Sequence, residues 1–211
     1  MGLRKEEINR KLLHLFALLM PAGIFYLPRW SISALVPISI LAALLIGSII
    51  VENLRFRFPI VQKIFMRSVG SMLREEETTK TTGSTYIIAA ALLCSLVFYK
   101  YPHISFMALT LFILGDAVAA IVGLSMGRIK IGKKSLEGSS ACFLLCMILC
   151  LIVFPLLPGL LDIWNGSIPF LAAVVISLAI TLFELIPLKI TSKVVINDNL
   201  AVPVIAGCIM L

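Results

Sequence analysis

Charged residues are scarce in this sequence of 211 residues, because Asp, Glu, Lys and Arg together make up only 14% of it. A typical soluble globular domain carries about 25% charged residues. The shortage excludes that class, and the hydrophobic content of 60% and the mean hydropathy of +1.08 agree with this conclusion. Composition alone therefore predicts a membrane protein with several spans.

The sequence also lacks a disulfide framework, because its five cysteines show no paired spacing. Cys142, Cys146 and Cys150 recur every four residues, which would place three thiols on one face of a helix. No histidine accompanies them, and cysteine behaves as a small apolar residue in membrane helices. We therefore expect this row to pack against a neighbouring helix rather than to bind a metal.

Apolar runs long enough to cross ~30 Å of hydrocarbon account for most of the chain. They cover residues 12–28, 31–51, 83–99, 103–126, 139–157 and 168–188, with a shorter run at 200–211. Twelve helical residues extend only ~18 Å, so the last run, with Pro203 inside it, is expected to be a half-span, a tilted stub or a truncated helix. No small-x-small cleavage site marks the first run, and we expect it to be retained. The predicted fold is a single all-α domain over residues 1–211, a polytopic membrane bundle of about seven transmembrane helices.

Lys and Arg outnumber Asp and Glu by 18 to 11, but the positions of the basic residues argue against a nucleic-acid partner. Sixteen of the eighteen lie at the N-terminus or in alternate loops, and only Arg29 and Lys100 lie in the other loops. This asymmetry is typical of cytoplasmic loops. We expect an integral multi-pass membrane protein with a cytoplasmic N-terminus, in the cell (inner) membrane if the source is bacterial.

Residues 56–80 do not form a span, but their apolar residues recur at three- or four-residue spacing with basic residues around them. The apolar positions are Phe58, Val61, Phe65, Val69 and Met72, and the basic ones are Arg57, Lys63, Arg67 and Arg74. The pattern predicts an amphipathic helix in the membrane interface. Just before it, Glu52 and Arg55 stand three residues apart, and we favour an ion pair between them over contact of Glu52 with an active-site cation.

The most informative stretch covers residues 114–141, where an apolar segment contains Asp116 and then opens into a loop rich in Gly and Lys. An ionised carboxylate in hydrocarbon is costly, so Asp116 is a candidate functional residue. Small residues recur every four positions beside it and form a stripe that lets another backbone approach closely. They are Gly115, Ala119, Gly123 and Gly127.

The loop after this segment has the composition of a phosphate-binding site. Its basic residues are Arg128, Lys130, Lys133 and Lys134. Flexible glycines, cationic groups and a helix that would begin at Ser135 all suit bound phosphate. A carboxylate able to hold Mg²⁺ near such a loop indicates nucleotide chemistry on a lipid. Helix packing and topology also produce glycine stripes and basic loops, but they require neither Asp116 nor the Glu137 and Ser139 that follow the lysines.

These motifs resemble those of the CTP-dependent lipid kinases, a family that includes dolichol kinase, phytol kinase and the yeast-type diacylglycerol kinase. The central match is GD-x-x-A-x-x-x-G-x-x-x-G-R over residues 115–128, followed by GKKSLEGS over residues 132–139. Residues 10–14 resemble the family's Arg-Lys-x-x-His motif, and residues 197–203 resemble its Asp-Asn-x-x-x-Pro motif. TGSTY at residues 82–86 is also similar. Asn197 stands where the family usually has the first of two acids, which leaves Asp198 as the possible ligand there.

The resemblance implies transfer of the γ-phosphoryl group of CTP to the hydroxyl of a membrane alcohol, namely a polyprenol such as dolichol, phytol or diacylglycerol. The implied cofactor is Mg²⁺, and its candidate ligands are Asp116, Asp198 and Glu184. The candidate catalytic residues are Asp116, as metal ligand or base, together with Lys134, Arg10 and Lys11. The candidate nucleotide-binding residues are Lys133, Lys134, Arg128, Gly123, Gly127, Ser135 and His14.

Two other functions fit parts of the pattern. Residues 115–139 are also similar to phosphatidate cytidylyltransferase, but the C-terminal KD…PGHGG…DR-D-like signature of that family is absent. A small transporter or lipid-exchange protein would use Asp116 and Glu184 to bind an ion or a proton. No inverted repeat is visible, and the basic loop would then have no role. The kinase therefore ranks first and the cytidylyltransferase second.

Overall fold

The computed structural model describes residues 15–70, 73, 75–132, 134–186, 189–191 and 194–211. Eight α-helices lie within these residues: α1 (Leu19–Arg29), α2 (Leu35–Arg57), α3 (Pro59–Val69), α4 (Gly83–Val97), α5 (Pro102–Ser125), α6 (Leu136–Ile148), α7 (Phe170–Leu185) and α8 (Asp198–Ile209). α6 continues through a π-helical turn, Leu149–Val153, and a 3-10 turn, Phe154–Leu156. Further 3-10 turns cover Glu75–Thr78 and Asp162–Trp164. The predicted all-α class is confirmed.

Two short antiparallel hairpins lie between the helices. β1 (Lys130–Ile131) pairs with β2 (Lys134–Ser135), between α5 and α6. β3 (Lys189–Thr191) pairs with β4 (Val194–Val195), between α7 and α8, with an irregularity in register. Neither hairpin was predicted from the apolar runs, because two-residue strands leave no periodic signal in a sequence.

Three of the described helical segments are long and apolar enough to cross a membrane, namely α2, α5 and the continuous segment Leu136–Leu156. α4, α7 and α8 are apolar but shorter. Each apolar run of the sequence coincides with one of these helices or with α1. The arrangement is consistent with a membrane-helical bundle, and the number of spans stays a prediction.

α3 is shorter than the amphipathic helix predicted over residues 56–80, and the predicted positions Met72 and Arg74 lie outside the described residues. Phe58 has an extended backbone, with φ −119° and ψ 114°, and Pro59 begins the new helix. A proline disfavours the helical conformation in the residue before it and lacks the N–H that would continue α2. α3 nevertheless exposes Ile60 and Ile64 beside basic residues, and its location at the membrane interface stays a prediction.

α5 is the central helix and is buried along most of its length. It contacts α1, α4, α6, α7 and α8. α2 lies at the periphery and exposes apolar side chains such as Ile40, Leu44 and Ile46. An exposed apolar face of this kind suits contact with lipid.

The small-residue stripe of α5 packs against the start of α6. A Cβ atom added at Gly115 would lie 2.9 Å from Cys142 Sγ, and one added at Gly123 would lie 2.8 Å from Ser135 Oγ. A Cβ at Gly138 of α6 would lie 3.2 Å from the Cα of Gly123. The stripe therefore allows the close helix approach expected from its spacing, and the buried Cys142 and Cys146 of α6 lie in the same contact.

The C-terminal ends of α2, α5 and α7 meet the N-terminal ends of α4, α6 and α8 at one end of the bundle, which we call the hairpin end. Side chains join these helix ends across the sequence, such as Arg55 to the carbonyl of Lys80 and Asn199 to the carbonyl of Gly83. At the opposite end Arg29 donates to the carbonyls of Pro158 (3.0 Å) and Gly159 (2.5 Å). The predicted motifs at residues 82–86, 115–139 and 197–203 therefore lie together at the hairpin end, whereas the motif at residues 10–14 lies outside the described residues.

Candidate functional site

The basic loop forms the β1–β2 hairpin rather than an open loop. Ile131 pairs with Lys134, and Gly132 makes the turn with φ +61°, a conformation that favours glycine. The carboxylate of Glu137 accepts hydrogen bonds from the N–H groups of Arg128 (2.9 Å) and Ile129 (3.1 Å). This contact ties the hairpin to the first turn of α6 and explains why an acid follows the lysines.

Lys134 brings together two acids that lie far apart in the sequence. Its Nζ is 2.6 Å from Glu184 Oε1 and 3.3 Å from Asp198 Oδ2, and it also donates to the main-chain carbonyl of Glu184. Glu184 is buried in the last turn of α7, and Asp198 is the first residue of α8. Three residues predicted separately for the site therefore meet at one point.

Asp116 lies about 2.5 turns inside α5 from its hairpin end and is 9% exposed. Both Asp116 and Asp198 are close enough to Glu184 to interact with it electrostatically. Glu184 Oε2 is buried and, within the described part of the chain, has no hydrogen-bond partner. A carboxylate oxygen in this state, with two further acids nearby, fits the oxygen ligands that Mg²⁺ prefers.

The described residues contain no group of three His, Cys, Asp or Glu side chains close enough together to hold a metal ion. Instead, the ammonium group of Lys134 lies between Glu184 and Asp198. The predicted triad of Asp116, Glu184 and Asp198 is therefore present as neighbouring acids rather than as a closed ligand set.

The segment TGSTY meets the segment NDN beside this site. The side chain of Asn199 donates from Nδ2 to the carbonyl of Gly83 (3.1 Å), and the N–H of Gly83 donates to Glu77 Oε1 (2.7 Å). A Cβ at Gly83 would lie 2.6 Å from Asn199 Nδ2, so the contact requires a glycine. Gly83 and Asn199 were not among the candidate site residues predicted from the sequence. Both segments resemble motifs of the CTP-dependent lipid kinases, and this resemblance was the signal that could have identified the two residues.

Glu52 forms the favoured ion pair with Arg55, with 2.6 Å between Oε2 and Nε. Its other oxygen accepts hydrogen bonds from the N–H (2.9 Å) and the hydroxyl (2.7 Å) of Thr82. Arg55 in turn donates to the carbonyls of Glu77 (3.0 Å) and Lys80 (2.5 Å). The pair therefore anchors the segment before α4, which presents Gly83 to Asn199, and this anchoring role was not predicted.

Several candidate nucleotide-binding residues have other contacts in the structure. Gly123 and Gly127 adjoin Ser135 in the contact between α5 and α6. Ser135 caps α6, because its hydroxyl accepts a hydrogen bond from the N–H of Gly138 (3.2 Å). Arg128 is exposed at the start of the hairpin. The roles of these residues toward a nucleotide stay predictions.

Four other candidates lie outside the described residues. They are Arg10, Lys11, His14 and Lys133. Their predicted catalytic or nucleotide-binding roles stay predictions.

Several curated proteins similar to this chain are named as kinases of phytol or of diacylglycerol. The chain is 28% identical over 210 residues to the probable phytol kinase, chloroplastic, of Triticum aestivum, which covers 94% of this chain and 65% of the wheat protein. It is 28% identical over 217 residues to the CTP-dependent diacylglycerol kinase 1 of Schizosaccharomyces pombe, covering 98% of this chain and 93% of the yeast protein. A probable phytol kinase of Glycine max is also 28% identical, over 94% of this chain and 64% of its own length.

These relatives confirm the resemblance to the CTP-dependent lipid kinase family. The chain spans about two thirds of the length of the plant relatives and most of the yeast one. No protein-family model and no solved structure matches the chain. At family level, the names of the relatives support a phosphotransferase with an alcohol acceptor.

Proposed function

We propose that this relative of the CTP-dependent lipid kinases transfers the γ-phosphoryl group of CTP to the hydroxyl of a membrane alcohol. The observation that carries the proposal is the meeting of Lys134 with Glu184 and Asp198, close to Asp116, at the hairpin end. Phosphoryl transfer needs alignment and charge neutralisation more than covalent help from the protein. A basic group among acids at one end of a membrane bundle supplies both.

Lys134 would bind the phosphates of the nucleotide. Its side chain is 31% exposed, so a triphosphate arriving from solvent can reach it. Arg128 is exposed on the same hairpin and would add a second positive charge. Arg10, Lys11, His14 and Lys133 would complete the phosphate contacts, in keeping with the motifs that contain them.

Glu184 and Asp198 would hold Mg²⁺ together with phosphate oxygens of the nucleotide, with Asp116 as the third candidate ligand nearby, because this ion is usually bound by one or two carboxylates plus substrate phosphates. When bound, the ion would neutralise negative charge on the phosphates. The unpartnered Oε2 of Glu184 supports this assignment. If Asp116 acts as the base instead, its carboxylate would accept the proton of the lipid hydroxyl while the hydroxyl oxygen bonds to the γ-phosphorus and CDP leaves.

The proposed acceptor is a neutral hydroxyl, as in a polyprenol, phytol or diacylglycerol. A phosphatidate acceptor would need an additional site for its own phosphate. The sequence has no Lys or Arg after Lys193, and α8 begins with one acid, Asp198. α8 itself therefore offers no basic side chain to a second anion, which favours the kinase over the cytidylyltransferase.

The proposal is tested by following each phosphorus atom of CTP. The purified protein in detergent is supplied with Mg²⁺ and with each of the three lipid alcohols, together with CTP labelled with ³²P at either the γ or the α position. We expect the γ label in the lipid product, the α label in CDP, and lower rates with ATP, GTP or UTP. Recovery of the α label in lipid, with release of pyrophosphate, would overturn the kinase in favour of a cytidylyltransferase.

A further inference from the structure

We propose that the ammonium group of Lys134 takes the place of the metal ion between Glu184 and Asp198 until nucleotide and metal bind. This inference rests on the proposed function, because it concerns the same site. The ammonium lies 2.6 Å from Glu184 Oε1 and 3.3 Å from Asp198 Oδ2. The two acids come from different helices, and they would hold a divalent cation when it binds.

A cation lies against two of the acids at this site. Glu184 is 4% exposed, and Asp116 and Asp198 lie within its electrostatic range. Several carboxylates close together repel one another, and burial of Glu184 makes its charge costly without an opposite charge. Lys134 contacts two of these acids, Glu184 and Asp198. It therefore compensates their charge when no metal is present.

Lys134 can leave the acids without rearrangement of the fold. Its main chain is held by the pairing of β1 with β2, where it lies opposite Ile131. Its side chain is a flexible stem with a compact charge and is partly exposed, so a rotamer change is enough to move the ammonium toward solvent. Arg128 and Lys130 lie on the same exposed hairpin, and a triphosphate bound there would attract the ammonium away from the acids.

The consequence is that metal and nucleotide bind cooperatively. A metal ion alone has to displace the ammonium from Glu184 and Asp198, so its affinity is low. A bound triphosphate offers Lys134 new partners and frees the acids for the metal, and the coupling is reciprocal. A lysine that served only to join α7 to α8 would affect stability but would not compete with the metal.

The test measures binding of Mn²⁺ alone, without nucleotide, to the full chain in detergent, using the electron paramagnetic resonance signal of the free ion. Lys134→Met removes the charge and keeps most of the stem. We expect the dissociation constant for Mn²⁺ to fall at least about tenfold, because a positive charge within hydrogen-bond distance of the ligands is lost. Lys130→Met is the matched control, since Lys130 lies on the same hairpin but contacts the carbonyl of Gly123. The Mn²⁺ affinity of this variant should equal that of the unmodified protein.

Two further variants make the result specific. Lys134→Arg keeps the charge and should keep the weak Mn²⁺ binding, whereas adding Glu184→Gln to Lys134→Met should abolish the gain. If Lys134→Met does not fold, Lys134→Gln replaces it, because its amide can still donate to the carbonyl of Glu184. Equal Mn²⁺ affinity in the neutral variants and the unmodified protein would overturn the inference. A higher Mn²⁺ affinity in Lys134→Arg than in the unmodified protein would overturn it as well. Since no step uses CTP or lipid, this failure is distinct from failure of the labelling experiment that tests the kinase.

Discussion

The buried ionic residues of this protein differ in how completely their polar atoms are satisfied. Both oxygens of Glu52 have partners, namely Arg55 and the N–H and hydroxyl of Thr82. One carboxylate oxygen of Glu184 lies 2.6 Å from Lys134 Nζ, and the other has no hydrogen-bond partner in the described part of the chain. A fully satisfied ion pair suits a structural role, whereas a buried acid with an unpartnered oxygen suits metal binding. Glu52 therefore suits the anchoring of the segment before α4, whereas Glu184 suits the proposed metal site.

At the residue scale we predict that Asp116→Asn leaves the protein folded but lowers the rate of phosphoryl transfer at least about a hundredfold. The change is nearly isosteric and removes a buried charge, so the loss would come from the missing carboxylate rather than from unfolding. The measurements are the initial rate with γ-labelled CTP and the thermal unfolding of the same preparation. Asp162→Asn is the matched control, because Asp162 is an exposed acid at the opposite end of the bundle. Activity of Asp116→Asn close to that of the control would exclude Asp116 from the chemistry.

At the scale of elements, the contact between α5 and α6 positions the site. The glycines of α5 bring its backbone against Ser135 and Gly138, and Ser135 caps α6 at the point where β2 ends. Lys134 precedes this cap, so the spacing of the two helices determines how far the lysine lies from α7 and α8. The glycine stripe therefore affects the site through packing, without contact with the nucleotide.

We predict that Gly138→Ala lowers the free energy of unfolding by about 1–3 kcal/mol, the usual cost of overpacking. The new Cβ would lie 3.2 Å from the Cα of Gly123 and closer still to the carbonyl oxygen of Ala119, and backbone atoms cannot yield as a flexible side chain can. Gly47→Ala of α2 is the control, because a Cβ there meets nothing within 4 Å and alanine favours helix. Unfolding of both variants by denaturant in detergent gives the comparison. Equal free energies of unfolding for the two variants would mean that the close approach of α5 and α6 contributes nothing to stability.

At the scale of the whole molecule, the charges divide between the two ends of the bundle. The exposed basic residues of the β1–β2 hairpin and Lys80 lie at the hairpin end, whereas Arg29 and Lys100 belong to the opposite end. The division of the basic residues was visible in the sequence, and the fold places the basic residues of separate loops at one end of the bundle. Basic loops at one end suit a cytoplasmic orientation of that end.

We therefore predict that the hairpin end faces the cytoplasm. Single cysteines replace Lys80, Lys130 or Lys100 in a Cys208→Ser background, since Cys208 is the exposed cysteine among the described residues and Cys94, Cys142, Cys146 and Cys150 are buried. In intact cells, an impermeant thiol reagent should label position 100 and should label positions 80 and 130 only after the membrane is opened. Labelling of position 130 from outside would contradict both the orientation and access of cytoplasmic CTP.

The sequence by itself determined the membrane class and the approximate positions of the helices, because a run of apolar residues is a local property. It also identified Asp116, Lys134, Glu184 and Asp198 as individual candidates, since charge inside or beside an apolar run is unusual wherever the helix packs. It missed the break at Pro59, where a single residue outweighs the amphipathic pattern around it.

Only the tertiary structure decided which of these residues meet. Lys134 lies 50 residues from Glu184 and 64 from Asp198 along the chain, and their contact depends on how α6, α7 and α8 are oriented. The same holds for Asn199 and Gly83, which are 116 residues apart. Spacing within one helix specifies which side chains share a face but carries no information about the helix that this face will contact. The positions of the helices were therefore readable from local composition, whereas the pairing of Lys134 with two acids arises from the packing of the bundle.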